Sequence, residues 1–389
     1  MFFILSKNNV LFSANSGTEL VVCSGKETTT FKWDSLLAEL PERPKDPNAQ
    51  PQPTDNEPAR IEVGSFSENY FVICDTKKNM LVLDRHMKVY RRFLMKRVCN
   101  RVQIGPNETA IFLSDKTGDF YEFKMNQDVM SDGKCLLGHC SMLLDFQISQ
   151  DLKYLITADR DEKIRVTKYP QTYDILSYCM GHKEFVSTIR LLDSERLISA
   201  SGDGCIILWD FKNGKKISEF SFGQDDSSKF IESKKSEFAI RSIEIDNPKK
   251  PEYFAVSFFK RPEIVIFKID CDNIVKVYEM KTNNVPVYVQ FDPSHVNYLW
   301  IIGGNFDENS GSKKSSEIFE LINNQLEVPF VYDSVLETLN KNIEFEKNIQ
   351  EESEEDRLEL LVKHSFNNVS EYQERKRQRI ERENLPKQI

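Results

Sequence analysis

The chain has 389 residues, eight cysteines and a formal net charge of −9. Its length can bury a large core and by itself suggests two or three domains; the negative balance excludes the chain as a whole as an electrostatic partner of nucleic acid, so any RNA contact has to come from a local basic patch. Cys23, Cys74, Cys99, Cys135, Cys140, Cys179, Cys205 and Cys271 form no CxxC pair and no Cys/His cluster at zinc spacing, which reads as reduced, mostly buried thiols of a cytosolic or nuclear protein.

Residues 1–5 form a short apolar strand, which Ser6-Lys7-Asn8-Asn9 stops far short of a signal peptide. No run approaches the roughly 18 apolar residues of a membrane span. Gly17-Thr18 marks a turn before a strand over 19–23, and Phe31-Lys32-Trp33 closes a first, degenerate unit. Pro41, Pro44, Pro47, Pro51, Pro53 and Pro58 then sit among Asn, Gln, Asp and Glu. Such a stretch cannot offset its ordering entropy by burial, so 41–60 is expected to be a disordered surface loop within the fold.

From residue 61 the pattern becomes regular. Residues 74–83, 114–123, 158–167 and 200–209 correspond at offsets of 40, 44 and 42, each an apolar strand, a tight polar turn and a second strand of β-branched or aromatic residues. These are hairpins. Gly138-His139 and Gly181-His182 open two of the units, with the histidines 43 residues apart, and Trp209-Asp210 ends one of them. That period with those termini is the mark of a WD-repeat propeller blade. A hairpin cannot bury its faces alone, so stacking into a ring follows.

Beyond residue 220 the period loosens, but strands over 238–245, 254–259 and 263–267 supply a sixth blade, and strands over 285–291, 299–302 and 317–321 a seventh. The strand at 1–5 is expected to complete the seventh blade and close the ring. The fold read from the sequence is therefore all-β, a seven-bladed WD-repeat β-propeller over 1–330. A charged, partly helical C-terminal extension over 331–389 follows, in which Leu336, Leu339 and Ile343 keep a helical period.

Several groups of side chains invite a functional reading. His182, Ser201 (with Ser199 as the other serine of that strand), Asp203 and Trp209 stand where WD repeats place a hydrogen-bonded tetrad; the repeat explains them, so they read as structural, not as a Ser-His-Asp catalytic set. His139 and Asp161 are expected to form a partial version, with Thr167 in place of tryptophan. There is no GxGxxG, GxxxxGK[ST] or HExxH, and no enzymatic motif emerges. In the strand after Asp159-Arg160-Asp161-Glu162, Lys163 and Arg165 alternate with Ile164 and Val166. Arg165 occupies a position that is Leu81, Tyr121 or Ile207 in the sister hairpins. Such a charge is either paired within the chain or faces a partner, and arginine suits bidentate recognition of a carboxylate. Arg91, Arg92, Lys96, Arg97 and Arg101 form one basic cluster, and Arg375, Lys376 and Arg377 another. Each is either a solvated face or a phosphate contact without sequence readout.

The strings LGHxSMLxD (137–145), TADRDEKIRV (157–166), GHKEFVS (181–187) and SGDGCIILWD (201–210) closely resemble the WD-repeat, non-catalytic subunit of tRNA (guanine-7) methyltransferase. RRFLMKR (91–97), SDKTGDFY (114–121) and FNNVSEYQERKRQR (366–379) add to the resemblance. It implies a seven-bladed propeller, itself no enzyme and holding no cofactor or metal. Such a chain pairs as a heterodimer with a catalytic subunit that makes 7-methylguanosine in the variable loop of tRNA. The basic residue that faces an acidic group of that partner maps onto Arg165, with Lys163, Arg160 and Asp159 beside it. Arg91, Arg92, Lys96, Arg97, Arg375, Lys376 and Arg377 are the candidates for an RNA-facing set, with a solvated face as the commoner reading of each. The resemblance also implies work in the nucleus and the cytosol, with no membrane and no small-molecule substrate. A generic WD-repeat scaffold or substrate adaptor in another nuclear complex is the competing expectation.

Overall fold

The computed structural model describes residues 3–38, 58–126, 133–223, 237–282, 285–303 and 316–327, apart from short breaks in the first and last two stretches, together with Leu358, Leu361 and Val362. Along these residues lie seven four-stranded antiparallel sheets, each drawn from one contiguous stretch of chain. Blade four, for example, takes Leu143–Ile148, Tyr154–Asp159, Ile164–Lys168 and Ile175–Cys179 in that spatial order. Pairing sequence neighbours keeps the loop-closure cost of every hairpin small.

Within a blade the middle strands are apolar on both faces. Met80, Leu81, Val82 and Leu83 are all buried, as are Ile206, Ile207, Leu208 and Trp209. Continuous burial instead of alternation means that both faces are covered, and the covering layer is the next blade. Val72, Met80 and Val82 of blade two meet Ile111, Leu113 and Phe123 of blade three. Phe112 and Phe120 then meet Phe146 and Leu155 of blade four, whose other face packs Ile156 and Ile164 on Leu197 and Trp209 of blade five.

The hairpin turns repeat as strictly as the strands. Asp75, Asp115 and Asp159 each end the second strand of a blade, and all three are buried. One carboxylate oxygen of each accepts two backbone N–H bonds from the turn: from Lys77 and Asn79, from Thr117 and Asp119, and from Asp161 and Lys163. Three residues past the aspartate position the backbone goes left-handed, at Lys78, Gly118, Glu162 and Gly204, with φ of 67°, 99°, 70° and 77°. Glycine takes that conformation freely, while Lys78 and Glu162 occupy it at a cost that the aspartate bonds offset.

Two expectations need correction. The strand at Phe3–Leu5 does not complete blade seven; it pairs with Asn9–Ala14 in blade one. Blade seven takes Gln325–Glu327 as its fourth strand. Local hairpins won because neither pairing has to close a loop as long as the whole ring. Blade six also has a fourth strand, Asn273–Lys281, which the sequence reading omitted. Trp33 opens a short helix, Trp33–Leu37, and its indole N–H donates to Asp75 Oδ2 at 2.8 Å, fastening blade one to blade two. Most of the proline-rich stretch and nearly all of 331–389 lie outside the described residues. Leu358 and Leu361 of the extension are described, and both are buried with Phe185 and Ala239 at the ends of blades five and six. No helix among the described residues is long and apolar enough to cross a membrane.

The first strands of blades three to six are tied together by charge. Arg190 Nη1 donates to Asp145 Oδ2 at 2.7 Å, and Nη2 to Glu244 Oε1 at 2.6 Å. Arg101 Nε lies 3.1 Å from Asp145 Oδ1. Ile189 N–H and the Thr188 hydroxyl also donate to Asp145. Nothing in the sequence pattern joined these residues, whose bonded partners lie as much as 54 positions apart.

Candidate partner-docking site

His139, first residue of the link into blade four, places Nδ1 3.0 Å from Asp159 Oδ2 and Nε2 2.9 Å from Thr157 Oγ1. The partner of His139 is thus Asp159, not Asp161. The register explains the difference: Asp159 ends its strand inside the blade, whereas Asp161 sits two residues out in the turn. Thr167 is also not the tryptophan substitute, since its hydroxyl donates to the Leu155 carbonyl. Asp159 is buried with both oxygens engaged, so it acts on a partner only through the turn it holds.

In blade five the full tetrad forms. His182 Nδ1 lies 3.3 Å from Asp203 Oδ2, His182 Nε2 lies 2.7 Å from Ser199 Oγ, and Trp209 Nε1 donates to that same Oγ at 2.7 Å. The serine is Ser199, correcting Ser201. Ser201 stands at the end of the strand, where its hydroxyl donates to the Glu184 carbonyl and accepts from Asp203 N–H. Burial pushes the Asp203 carboxyl up, but the His182 bond and the Lys183 and Cys205 N–H groups outweigh it and hold it below the usual carboxylate range. Although Ser199, His182 and Asp203 have the bond order of a catalytic triad, Ser199 is 0% exposed and its oxygen is shared with an indole. A nucleophile has to reach its substrate, and this one cannot. Ser199→Ala is expected to destabilise the protein by about 2–4 kcal/mol, because two buried ring nitrogens, of His182 and Trp209, lose their hydrogen-bond partner, against about 1 kcal/mol for Ser201→Ala. Denaturant titration of the two variants measures this, and equal losses would refute the assignment. The thiols nearest this tetrad are no substitute, since burial pushes Cys179 and Cys205 up to about 12.

Arg165 lies in the third strand of blade four, across from Thr157 on one side and Tyr178 on the other. The guanidinium reaches over to blade three, where Nη2 donates to the Gly138 carbonyl at 3.1 Å. Its Nε is buried without an acceptor. Among the described residues Arg165 makes no ion pair. The backbone beneath it is fixed by the Thr157 hydroxyl, which bonds both His139 and the Arg165 carbonyl. The result is a half-buried cation, held in the groove between two blades on a rigid strand. Lys163, at the turn, is exposed and likewise has no acidic partner among the described residues. Arg160 stands on the same turn, half-buried, its N–H bonded to the Met142 carbonyl.

The five cations of the first basic cluster do not make one patch. Arg91 and Arg92 are neighbours on the outer strand of blade two and diverge, with Arg91 Nε on the Met125 carbonyl and Arg92 Nε on that of Leu36. Lys96 and Arg97 are exposed in the next link, Arg97 3.8 Å from Asp115. Arg101 is spent on Asp145 in the charge network. Arg375, Lys376 and Arg377 lie outside the described residues.

Seven four-stranded blades joined in sequence order, with a His–Asp–Ser–Trp tetrad in one and a His–Asp–Thr version in its neighbour, define a WD-repeat β-propeller. Solved structures agree on the fold. The RRP9 WD40 repeats superpose with a TM-score of 0.60 at 12% identity, over 79% of this chain and 88% of that one. U3-55K does so with a TM-score of 0.60 at 12% identity, over 78% and 88%. The family model for the tRNA methyltransferase TRM82 WD40 domain matches residues 124–322. The Culex quinquefasciatus tRNA (guanine-N(7)-)-methyltransferase non-catalytic subunit wuho is 30% identical over 306 residues, 77% of this chain and 69% of that one. The Mus musculus non-catalytic subunit WDR4 is 35% identical over 192 residues, 48% of this chain and 46% of its own length. The chain belongs to this family of WD-repeat, non-catalytic tRNA (guanine-N7)-methyltransferase subunits, and is not itself the enzyme.

Proposed function

We propose that this chain binds a separate catalytic methyltransferase subunit, as one half of a heterodimer, and holds it in an active form for 7-methylguanosine formation in the variable loop of tRNA. The single observation that carries the docking surface is Arg165: a half-buried guanidinium with an unsatisfied Nε, no carboxylate partner among the described residues, and a strand fixed by the His139–Thr157 pair. A cation kept in that state is matched by a carboxylate arriving from outside, and arginine's fork suits it. Lys163 and Arg160 extend the positive edge along the turn. Lys96 and Arg97, exposed one blade away, are the described cations best placed to meet RNA phosphate. We place the complex in the nucleus and the cytosol.

Depleting the chain in cells is expected to remove 7-methylguanosine from tRNA, with re-expression restoring it. Normal 7-methylguanosine after complete depletion would reject this function and favour a scaffold in another complex.

A further inference from the structure

Five of the seven large apolar side chains exposed among the described residues fall between Tyr173 and Met180: Tyr173, Ile175, Leu176, Tyr178 and Met180. Tyr173 is 86% exposed and Met180 59%. They run along the outer strand of blade four, Ile175–Cys179, and its two flanks. Single exposed apolar residues need no explanation, but a run of five on one edge marks an interaction surface.

The strand is also prepared to receive something. On its inner side the Ser177 hydroxyl donates to the Phe211 carbonyl of blade five. Gly214 of that blade approaches the Tyr178 carbonyl so closely that a Cβ would not fit. The backbone is therefore locked, and binding to it costs little ordering entropy. Tyr178 is the cross-strand neighbour of Arg165, which puts an exposed aromatic ring beside a guanidinium that makes no ion pair among the described residues.

We infer that this apolar edge is a second half of the docking surface, and that its occupant is an apolar element of the catalytic subunit carrying at least one carboxylate. This rests on the reading of Arg165 as a docking residue. Continuity and charge both select that occupant. The edge is flanked by Arg165 and Lys163, neither with an acidic partner among the described residues, so a purely apolar visitor would leave two cations unanswered. A ring of apolar contacts around the charge pair excludes water and strengthens it, with Tyr178 as the central anchor. Tyr173 and Met180 form the two ends of the contact.

Affinity for the purified catalytic subunit is measured for wild type, Tyr178→Ser, Met180→Ser, Arg165→Glu and the control Val275→Ser, an exposed apolar residue on the outer strand of blade six. Sedimentation of each variant alone gives its oligomeric state, and its melting curve reports the fold. Tyr178→Ser is expected to weaken binding by about tenfold or more, and Met180→Ser by a few-fold. Val275→Ser is expected to bind as wild type, and all the variants to melt as wild type does. If Arg165→Glu weakens binding while Tyr178→Ser and Met180→Ser do not, the apolar edge is overturned and the Arg165 reading stands. If none of the three weakens binding, both fall. If Tyr178→Ser instead abolishes self-association of this chain and leaves binding intact, the occupant is a second copy and the inference is wrong.

Discussion

Arg165→Glu is expected to cost about 2–5 kcal/mol of association with the catalytic subunit, the range found when one member of a desolvated charge pair is removed. Much of that cost falls on the partner, whose carboxylate is left in the groove without a counter-charge. Glutamate adds a like charge and cannot donate to the Gly138 carbonyl that Arg165 now holds. Arg165→Lys should lose less, since it keeps the charge but not the planar fork that grips carbonyl and carboxylate together. Two features separate this from a folding defect. The Arg165 side chain carries no ion pair within the described chain, so its loss breaks none. The Thr157 bond beneath it is made to the backbone carbonyl, which any residue supplies. Titration calorimetry at low and moderate salt measures the effect, and a pair shielded in the groove should keep most of its strength as salt rises. Wild-type affinity in Arg165→Glu would remove the docking surface proposed here.

The largest effect on stability is expected from Arg190→Met. Arg190 joins Asp145 of blade four to Glu244 of blade six across the first strands, and its Nη1 also bonds the Thr188 hydroxyl and the Ile189 carbonyl. Breaking a buried ionic network by deleting one partner costs about 3–5 kcal/mol, because the remaining charge stays buried with less compensation. A lowered denaturant midpoint at unchanged slope would show it, and a loss below about 1 kcal/mol would contradict the network's role. The acid limb offers a second test. Burial pushes the Asp145 carboxyl up, but Arg101, Arg190 and the backbone N–H groups of Ile189 and Phe146 outweigh it and leave it below the usual carboxylate range. A group depressed on folding contributes stability above its unfolded value of about 3.9, and that stability is lost as pH falls toward the lower folded value. Wild type should therefore weaken below about pH 4. In Arg190→Met the Asp145 carboxyl moves back up toward its unfolded value, so this acid-dependent loss should become smaller than in wild type.

Much of the ring was legible because propeller blades are built from neighbours in sequence. The hairpins at 74–83, 114–123, 158–167 and 200–209 carry strand, turn and strand within ten residues, so periodicity and turn chemistry located them directly. The tetrad was partly legible for the same reason. The sequence offered two serines, Ser199 and Ser201, at the same strand parity, and choosing between them required knowing where the ladder stops. The exposed edge at 173–180 was missed, although apolar residues on an outer strand leave a readable trace once the blade is known. The charge network was not legible at all, since Arg101, Asp145, Arg190 and Glu244 belong to four different blades.

By itself, then, the sequence determined the architecture and the family, because a repeat of some forty residues fixes hairpin after hairpin through local contacts. Only the tertiary structure decided how the ring uses its ends, giving Phe3–Leu5 to blade one and Gln325–Glu327 to blade seven. It alone showed that Arg165 stands in a groove between two blades with no acidic partner among the described residues, while Arg101, one more cation in a basic run, is paired with Asp145. The physical reason is that a strand's neighbours within its blade are local in sequence. What a charged side chain meets depends on which blade the closing ring brings against it.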